Sequence, residues 1–317
     1  MLDSKRNSQS TVPLKSNFYI RLISLIGIVI LGMLVGNGLL LVISASQGWS
    51  IGSESDLYAL LNDENNQLLV KFIVGINQFS IFILSPLIFL YVFERGYFQR
   101  YLSLYNFLPR LLLLFPIALF MLYPAMGYIT TLMDRVDWPE WMGTMDEESM
   151  ASLSQLLKME TVSDLMLNMV IIALLPAIGE ELLFRGVLQK EIFLKTNNGH
   201  LAIWTTAIIF GIFHFQISGL LPKIMIGALL GYAYWWSQSL ILSMILHGIN
   251  NGVLTIAHFY TQNQVTDDIN IENPELPILS VVLSSALFCF IIYEIYRITR
   301  PGDPVSIEHD QNPPNNE

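Results

Sequence analysis

Apolar residues fall along this chain in long runs separated by short polar segments. The runs lie near 18–45, 70–93, 109–133, 165–186, 201–218, 221–237, 240–260 and 276–297. A helix crossing roughly 30 Å of hydrocarbon needs about 20 apolar residues, and at least five of the runs meet that length plainly. Those at 165–186, 221–237 and 240–260 are interrupted by more polar groups. The pattern predicts an all-α fold: a polytopic membrane helix bundle of about eight transmembrane helices. The first run is apolar from Leu22 to Ala45, far longer than the roughly 7–15 residues of a signal-peptide core, and reads as a retained helix. The expected organisation is a polar cytoplasmic tail over 1–17, a transmembrane helical domain over 18–300 and a disordered cytoplasmic tail over 301–317, rich in Pro and Asn.

Composition agrees. The chain is 53% hydrophobic and only 13% charged, with a mean hydropathy of +0.52, which excludes an ordinary soluble domain. Sixteen Lys and Arg against 26 Asp and Glu leave a net charge of −10, which supports neither nucleic-acid nor polybasic lipid binding. The lone Cys289 can form no internal disulfide or thiol metal site.

Cation placement sets the predicted orientation. With the N-terminus inside, Lys5, Arg6, Lys15, Arg21, Arg95, Arg100, Arg110, Arg185, Lys190, Lys195, Arg297 and Arg300 are cytoplasmic, and only Lys71, Arg135, Lys158 and Lys223 lie outside. This positive-inside bias, with an even number of spans, puts both termini in the cytoplasm. The outer loops are acidic: Glu54, Asp56, Asp63 and Glu64 in the first, and Asp267, Asp268, Glu272 and Glu275 in the last. The longest connection, 134–164, carries Asp134, Asp137, Glu140, Asp146, Glu147 and Glu148 around Trp138 and Trp141. It reads either as a short amphipathic helix at the outer interface or as a solvated loop anchored by its tryptophans. No internal repeat is visible, which counts against an inverted-repeat transporter.

Ionisable groups within spans are costly, so each asks for a reason. In the fourth run Glu180 and Glu181 precede Arg185. Glu181 and Arg185, four apart, share a helix face and can pair, whereas Glu180 has no partner in its own segment. The charges could simply mark a helix end, but two acids at a helix C-terminus oppose its dipole, so the helix is expected to continue toward Lys195. In the fifth run Phe210 precedes His214 by four; taken alone, such a histidine is more often a hydrogen-bonded core residue than a catalyst. In the seventh, His247 and Asn251 project the same way. Gly227 with Gly231, and Gly32 with Gly36, are small-xxx-small pairs that read as close helix packing. At ~1.5 Å per residue, Glu180 lies ~22 Å from the outer start of its span, His214 ~20 Å and His247 ~10 Å from the cytoplasmic starts of theirs. All three can converge within the membrane as a reaction centre.

The three motifs Glu180-Glu181-xxx-Arg185, Phe210-xxx-His214 and His247-xxx-Asn251, in that order on successive apolar helices, resemble the CPBP family of CAAX-type prenyl proteases and bacteriocin-processing (Abi) relatives. The resemblance covers about 165–260, the CPBP-like core. It implies an eight-helix intramembrane glutamic endopeptidase. In such a protein the residues at Glu180 and His214 activate a water, those at His247 and Asn251 hold the oxyanion, and Glu181 and Arg185, with Phe210, support the site. The chemistry of the side chains fits these roles: peptide hydrolysis needs a base for water, a proton for the leaving amine and donors for a tetrahedral oxyanion. Ser243, one turn before His247, has no acid partner in sight, and Cys289 is remote, so neither competes as a nucleophile.

No cofactor is expected. The nearest rival is a zinc-dependent membrane protease with Glu180, His214 and His247 as ligands, although no HExxH is present. A non-catalytic membrane immunity or transport protein is the other alternative; retention of every polar position argues against it. The expected partners are a peptide or protein substrate, lipidated or membrane-associated chains included, and membrane lipids, with no nucleic acid. The expected location is a membrane, the plasma (inner) membrane if the source is bacterial.

Overall fold

The computed structural model describes residues 17–48, 66–95, 102–103, 107–262 and 277–299. The tails at 1–16 and 301–317 and the acidic clusters at 54–64 and 267–275 lie outside the described residues. Among the described residues the chain is helical with no strand, and nine long helices follow one another. We number them α1 Phe18–Gln47, α2 Gln67–Phe93, α3 Leu111–Asp134, α4 Glu140–Leu156, α5 Val162–Thr196, α6 Gly199–Ile212, α7 Leu220–Ser237, α8 Leu240–Gln262 and α9 Ile278–Thr299.

Six of them, α1, α2, α3, α5, α8 and α9, are long and apolar enough to cross a membrane. The two outermost, α1 and α9, have only 11% of their most apolar window buried inside the protein. Ile23 and Leu34 on α1, and Leu279 and Phe290 on α9, are each more than 60% exposed. Apolar faces of that extent are stable against lipid, not water. The chain is a multi-pass integral membrane protein.

Interior packing places α5 at the centre, against α2, α6, α7 and α8, while α1 covers α2 and α9 pairs with α3. Two large apolar clusters result, beside a small third one of Ile203, Ala207 and Ala228 between α6 and α7. One gathers Phe82, Phe89, Phe184 and Phe210, and the other Leu111, Phe115, Leu230, Leu246 and Ile295. Polar residues of α5 and α8 lie between them. Both small-xxx-small pairs are close contacts. A Cβ on Gly32 would lie 2.8 Å from Ser80 O of α2, and one on Gly231 would lie 2.9 Å from Ile203 Cγ2 of α6.

Three π-helical stretches widen the spans. Phe79–Leu84 and Met169–Leu174 each end two residues before a proline, Pro86 and Pro176. The proline has no N–H for the preceding turn, and its ring displaces the carbonyl four back, so a wider turn relieves both. In α2 the Ser85 hydroxyl takes up Ser80 O (3.0 Å) and lies 3.2 Å from Ile28 O, tying the widened turn to α1. The third stretch, Leu182–Gln189, has no proline, and all eight of its residues are buried.

Three expectations are settled by these helices. α5 does continue past the glutamates, to Thr196. The 134–164 connection contains a helix, α4. The run expected to span 201–218 does not: α6 stops at Ile212, and its 14 residues reach only ~21 Å. Gly211 allows Ile224 of α7 to pack onto the end of α6, where a Cβ would lie 2.6 Å from Ile224 Cγ1. The chain therefore turns back over 213–219, with Phe215 at φ 52°. Non-helical backbone at membrane depth needs protein partners. α4 supplies them: the Asp146 carboxylate accepts from Ile217 N (2.9 Å) and Ser218 N (3.4 Å).

Candidate functional site

α5 meets α2 closely at its acidic turn, because Gly179 presents no side chain where a Cβ would lie 2.7 Å from Phe82 Cβ. The next two residues, Glu180 and Glu181, are both buried, with entirely different surroundings.

Glu181 is saturated. Its Oε1 accepts from Arg185 Nη1 (2.7 Å) and from His247 Nδ1 (2.9 Å), and its Oε2 accepts the Ser243 hydroxyl. Glu181, Arg185 and Ser243 are each 0% exposed. Arg185 also donates Nη2 to Gly227 O of α7 at 2.8 Å, and one step along α5 Gln189 donates to Gly231 O at 3.3 Å. Donors four apart on one helix thus reach carbonyls four apart on another. The Arg185 guanidinium stands 4.8 Å from the Phe210 ring centroid of α6. The pair joins α5 to α6, α7 and α8, and the ion pair expected from the Glu181/Arg185 spacing is present.

The Ser243 contact corrects the sequence reading, which found no acid partner for that residue. The partner is Glu181, 62 residues earlier on another helix. The hydroxyl is spent on it, and Ser243 braces the carboxylate from α8.

Glu180 is the opposite case. Its Oε2 is buried with no hydrogen-bonding protein partner; His247 Nε2 stands 3.9 Å away. With His247 Nδ1 facing the Glu181 carboxylate, the proton on that nitrogen is fixed there, and Nε2 is the nitrogen left facing Glu180. A hydrogen bond from His247 to any other group therefore has to come from a protonated Nε2.

His214 sits two residues beyond the end of α6, in the turn over 213–219 and not within a span as expected. Its Nδ1 lies 2.8 Å from Phe210 O. A carbonyl accepts only, so that nitrogen carries the hydrogen and Nε2 keeps its lone pair. The Phe210 ring lies 4.7 Å from the His214 ring and 5.9 Å from that of His247, so one aromatic side chain contacts both imidazoles and stacks on Arg185. Asn251 is half-buried on α8, one turn from His247, and its Oδ1 accepts from Asn250 Nδ2 at 3.0 Å.

Lys223, placed outside the membrane from sequence, bonds the Gln216 carboxamide and lies within electrostatic reach of both Glu180 and Asp146. Nothing in its spacing announced that. Ser243 had a signal, since it precedes His247 by four as His247 precedes Asn251. Among the described residues no group of three or more His, Cys, Asp or Glu side chains is placed to hold a metal ion.

Comparison with known proteins bears on the same segment. Residues 162–253 match the family described as type II CAAX prenyl endopeptidase, Rce1-like. The match runs from the start of α5 through Asn251. An uncharacterized protein of Bacillus subtilis (strain 168), YpbD, is 38% identical over 90 residues, which are 27% of this chain and 43% of that protein. The aligned segment thus spans less than half the length of that relative. No solved structure matches the chain significantly. Over residues 162–253, the helices that hold all three motifs, the chain is similar to the type II CAAX prenyl endopeptidase, Rce1-like, family.

Proposed function

We propose that the chain is an intramembrane endopeptidase that hydrolyses a peptide bond with water activated by Glu180 and His214. The observation that carries this is the contrast between two adjacent buried glutamates. Glu181 has Arg185, His247 and Ser243 on its two oxygens, whereas Glu180 Oε2 has no hydrogen-bonding protein partner. A buried carboxylate oxygen left unsatisfied costs stability and is kept where it acts on something else.

Water between Glu180 and the free Nε2 of His214 loses a proton to Glu180 as its oxygen attacks the scissile carbonyl. The carbonyl oxygen takes up the charge and accepts from the Asn251 amide and from protonated His247 Nε2. The proton held by Glu180 then goes to the leaving nitrogen as the C–N bond breaks. Glu181, Arg185 and Phe210 hold these groups in register. The family similarity supports a peptide substrate of the CAAX type, prenylated near its C-terminus, or a bacteriocin-processing-like one, entering from the cytoplasmic side or laterally from the inner leaflet.

The test is cleavage of a peptide library by the chain purified in detergent, with farnesylated and unmodified Cys-aliphatic-aliphatic-X ends included and products read by mass spectrometry. We expect cleavage at a defined bond; a folded preparation that cleaves no peptide overturns the reading. Asn251→Ala should lower kcat roughly 10²–10³-fold at nearly constant KM, the effect of removing one oxyanion donor. A large rise in KM at constant kcat would make Asn251 a ground-state binding residue instead.

This mechanism uses no metal. Prolonged chelation should leave the rate unchanged, with far less than one zinc per purified chain. Loss of activity on chelation, restored by zinc alone, would turn Glu180, His214 and His247 into ligands and overturn the glutamic mechanism.

A further inference from the structure

Asn251 does not stand alone on α8. Its Oδ1 accepts from Asn250 Nδ2 at 3.0 Å, and Asn250 Oδ1 in turn lies 3.2 Å from the hydroxyl of Tyr123 on α3. Asn250 is 5% exposed, and Tyr123 is half-buried with its ring edge-on to Phe120 at 5.7 Å. The Tyr123 contact joins residues 127 apart.

We propose that Tyr123 and Asn250 are positioning residues that fix which end of the Asn251 carboxamide faces the reaction, an inference that rests on the oxyanion role given to Asn251 above. A carboxamide has an acceptor oxygen and a donor NH₂ of nearly the same size, and rotation about its last bond exchanges them. Facing a developing oxyanion, one orientation donates and the other repels. The Tyr123 O–H occupies Asn250 Oδ1, which turns the Asn250 NH₂ toward Asn251. That NH₂ occupies Asn251 Oδ1, and the Asn251 NH₂ remains for the substrate. A phenol oxygen shares a lone pair with its ring and donates more strongly than it accepts, so the Tyr123 hydroxyl on α3 biases the row toward this polarity.

The test is a double-mutant cycle in detergent, using the library peptide that the wild-type chain cleaves best. Tyr123→Phe should lower kcat about 3–10-fold at unchanged KM, the effect of losing one ordinary hydrogen bond. In an Asn251→Ala background the same substitution should have no further effect. An equal loss in both backgrounds, or an effect on KM alone, overturns the proposal. A second readout needs no turnover: the side-chain amide ¹⁵N–¹H signals of Asn250 and Asn251, assigned with single alanine variants. Tyr123→Phe should shift the signals of both residues; unmoved Asn251 signals overturn the proposal whatever the activity. Full activity in Asn251→Ala, with these signals still coupled to Tyr123, would instead remove Asn251 from the mechanism while leaving the hydrogen-bonded chain in place.

Discussion

Glu180→Gln should abolish turnover while leaving the protein as stable as before, or more so. The substitution keeps the volume of the side chain and a carbonyl oxygen but removes the ability to accept a proton. Deleting a general base lowers the rate on the order of 10²–10⁴-fold. The stability half of the expectation comes from surroundings. Oε2 of Glu180 makes no hydrogen bond to the protein, and His247 Nε2 stands 3.9 Å away. Little is lost with the charge, and the desolvation it suffers is relieved. The same change one residue on should behave in the reverse way. Glu181→Gln weakens contacts to Arg185 and His247 at 2.7 and 2.9 Å, so its main effect should be on folding yield and melting temperature. Both variants are measured as kcat on the best library peptide and as thermal unfolding in the same detergent. Normal cleavage by Glu180→Gln would end the assignment of Glu180 as base.

The opposite behaviour expected of two neighbouring glutamates is not legible in sequence, where they are an acidic pair in an apolar run. What sequence does show is spacing along one helix. Glu181 with Arg185, Phe210 with His214 and His247 with Asn251 are each four apart, a spacing that puts a pair on one helix face; the first and third pairs lie so, whereas His214 lies in the turn beyond α6. The continuation of α5 to Thr196 was legible for a similarly local reason, the unfavourable placing of acids at a helix end. Contacts between helices have no such signature. His247 to Glu181, Ser243 to Glu181 and Tyr123 to Asn250 join residues 66, 62 and 127 apart. They exist because α5, α8 and α3 pack as they do.

The early end of α6 belongs with these. Residues 213–218 include Phe213, Phe215 and Ile217 and read as a continuing apolar span. Helix α6 stops because α7 folds back onto Gly211 and because Asp146, far away in sequence, accepts the N–H groups of Ile217 and Ser218. The stop has a chemical consequence. A histidine within a regular helix would face lipid or packed side chains, whereas in the turn after α6 the Phe210 carbonyl fixes its Nδ1 and leaves Nε2 available.

Arg185→Ala should lower yield, melting temperature and activity together. The guanidinium is 0% exposed and serves three helices at once: Glu181 within α5 at 2.7 Å, Gly227 O of α7 at 2.8 Å and the Phe210 ring of α6 at 4.8 Å. Truncation strands a buried carboxylate, and breaking such a pair by removing one partner costs about 3–5 kcal/mol. It also frees Phe210, the ring that contacts both His214 and His247. Arg185→Lys separates charge from shape. The ammonium can neutralise Glu181, but without a planar fork it cannot reach the carboxylate and the Gly227 carbonyl in fixed directions. It should therefore recover much of the thermal stability of Arg185→Ala and less of its activity. The comparison is made by thermal unfolding and by kcat in one detergent. Should Arg185→Ala melt at the wild-type temperature and yet be inactive, the bracing role would be wrong and the guanidinium would belong in direct contact with substrate.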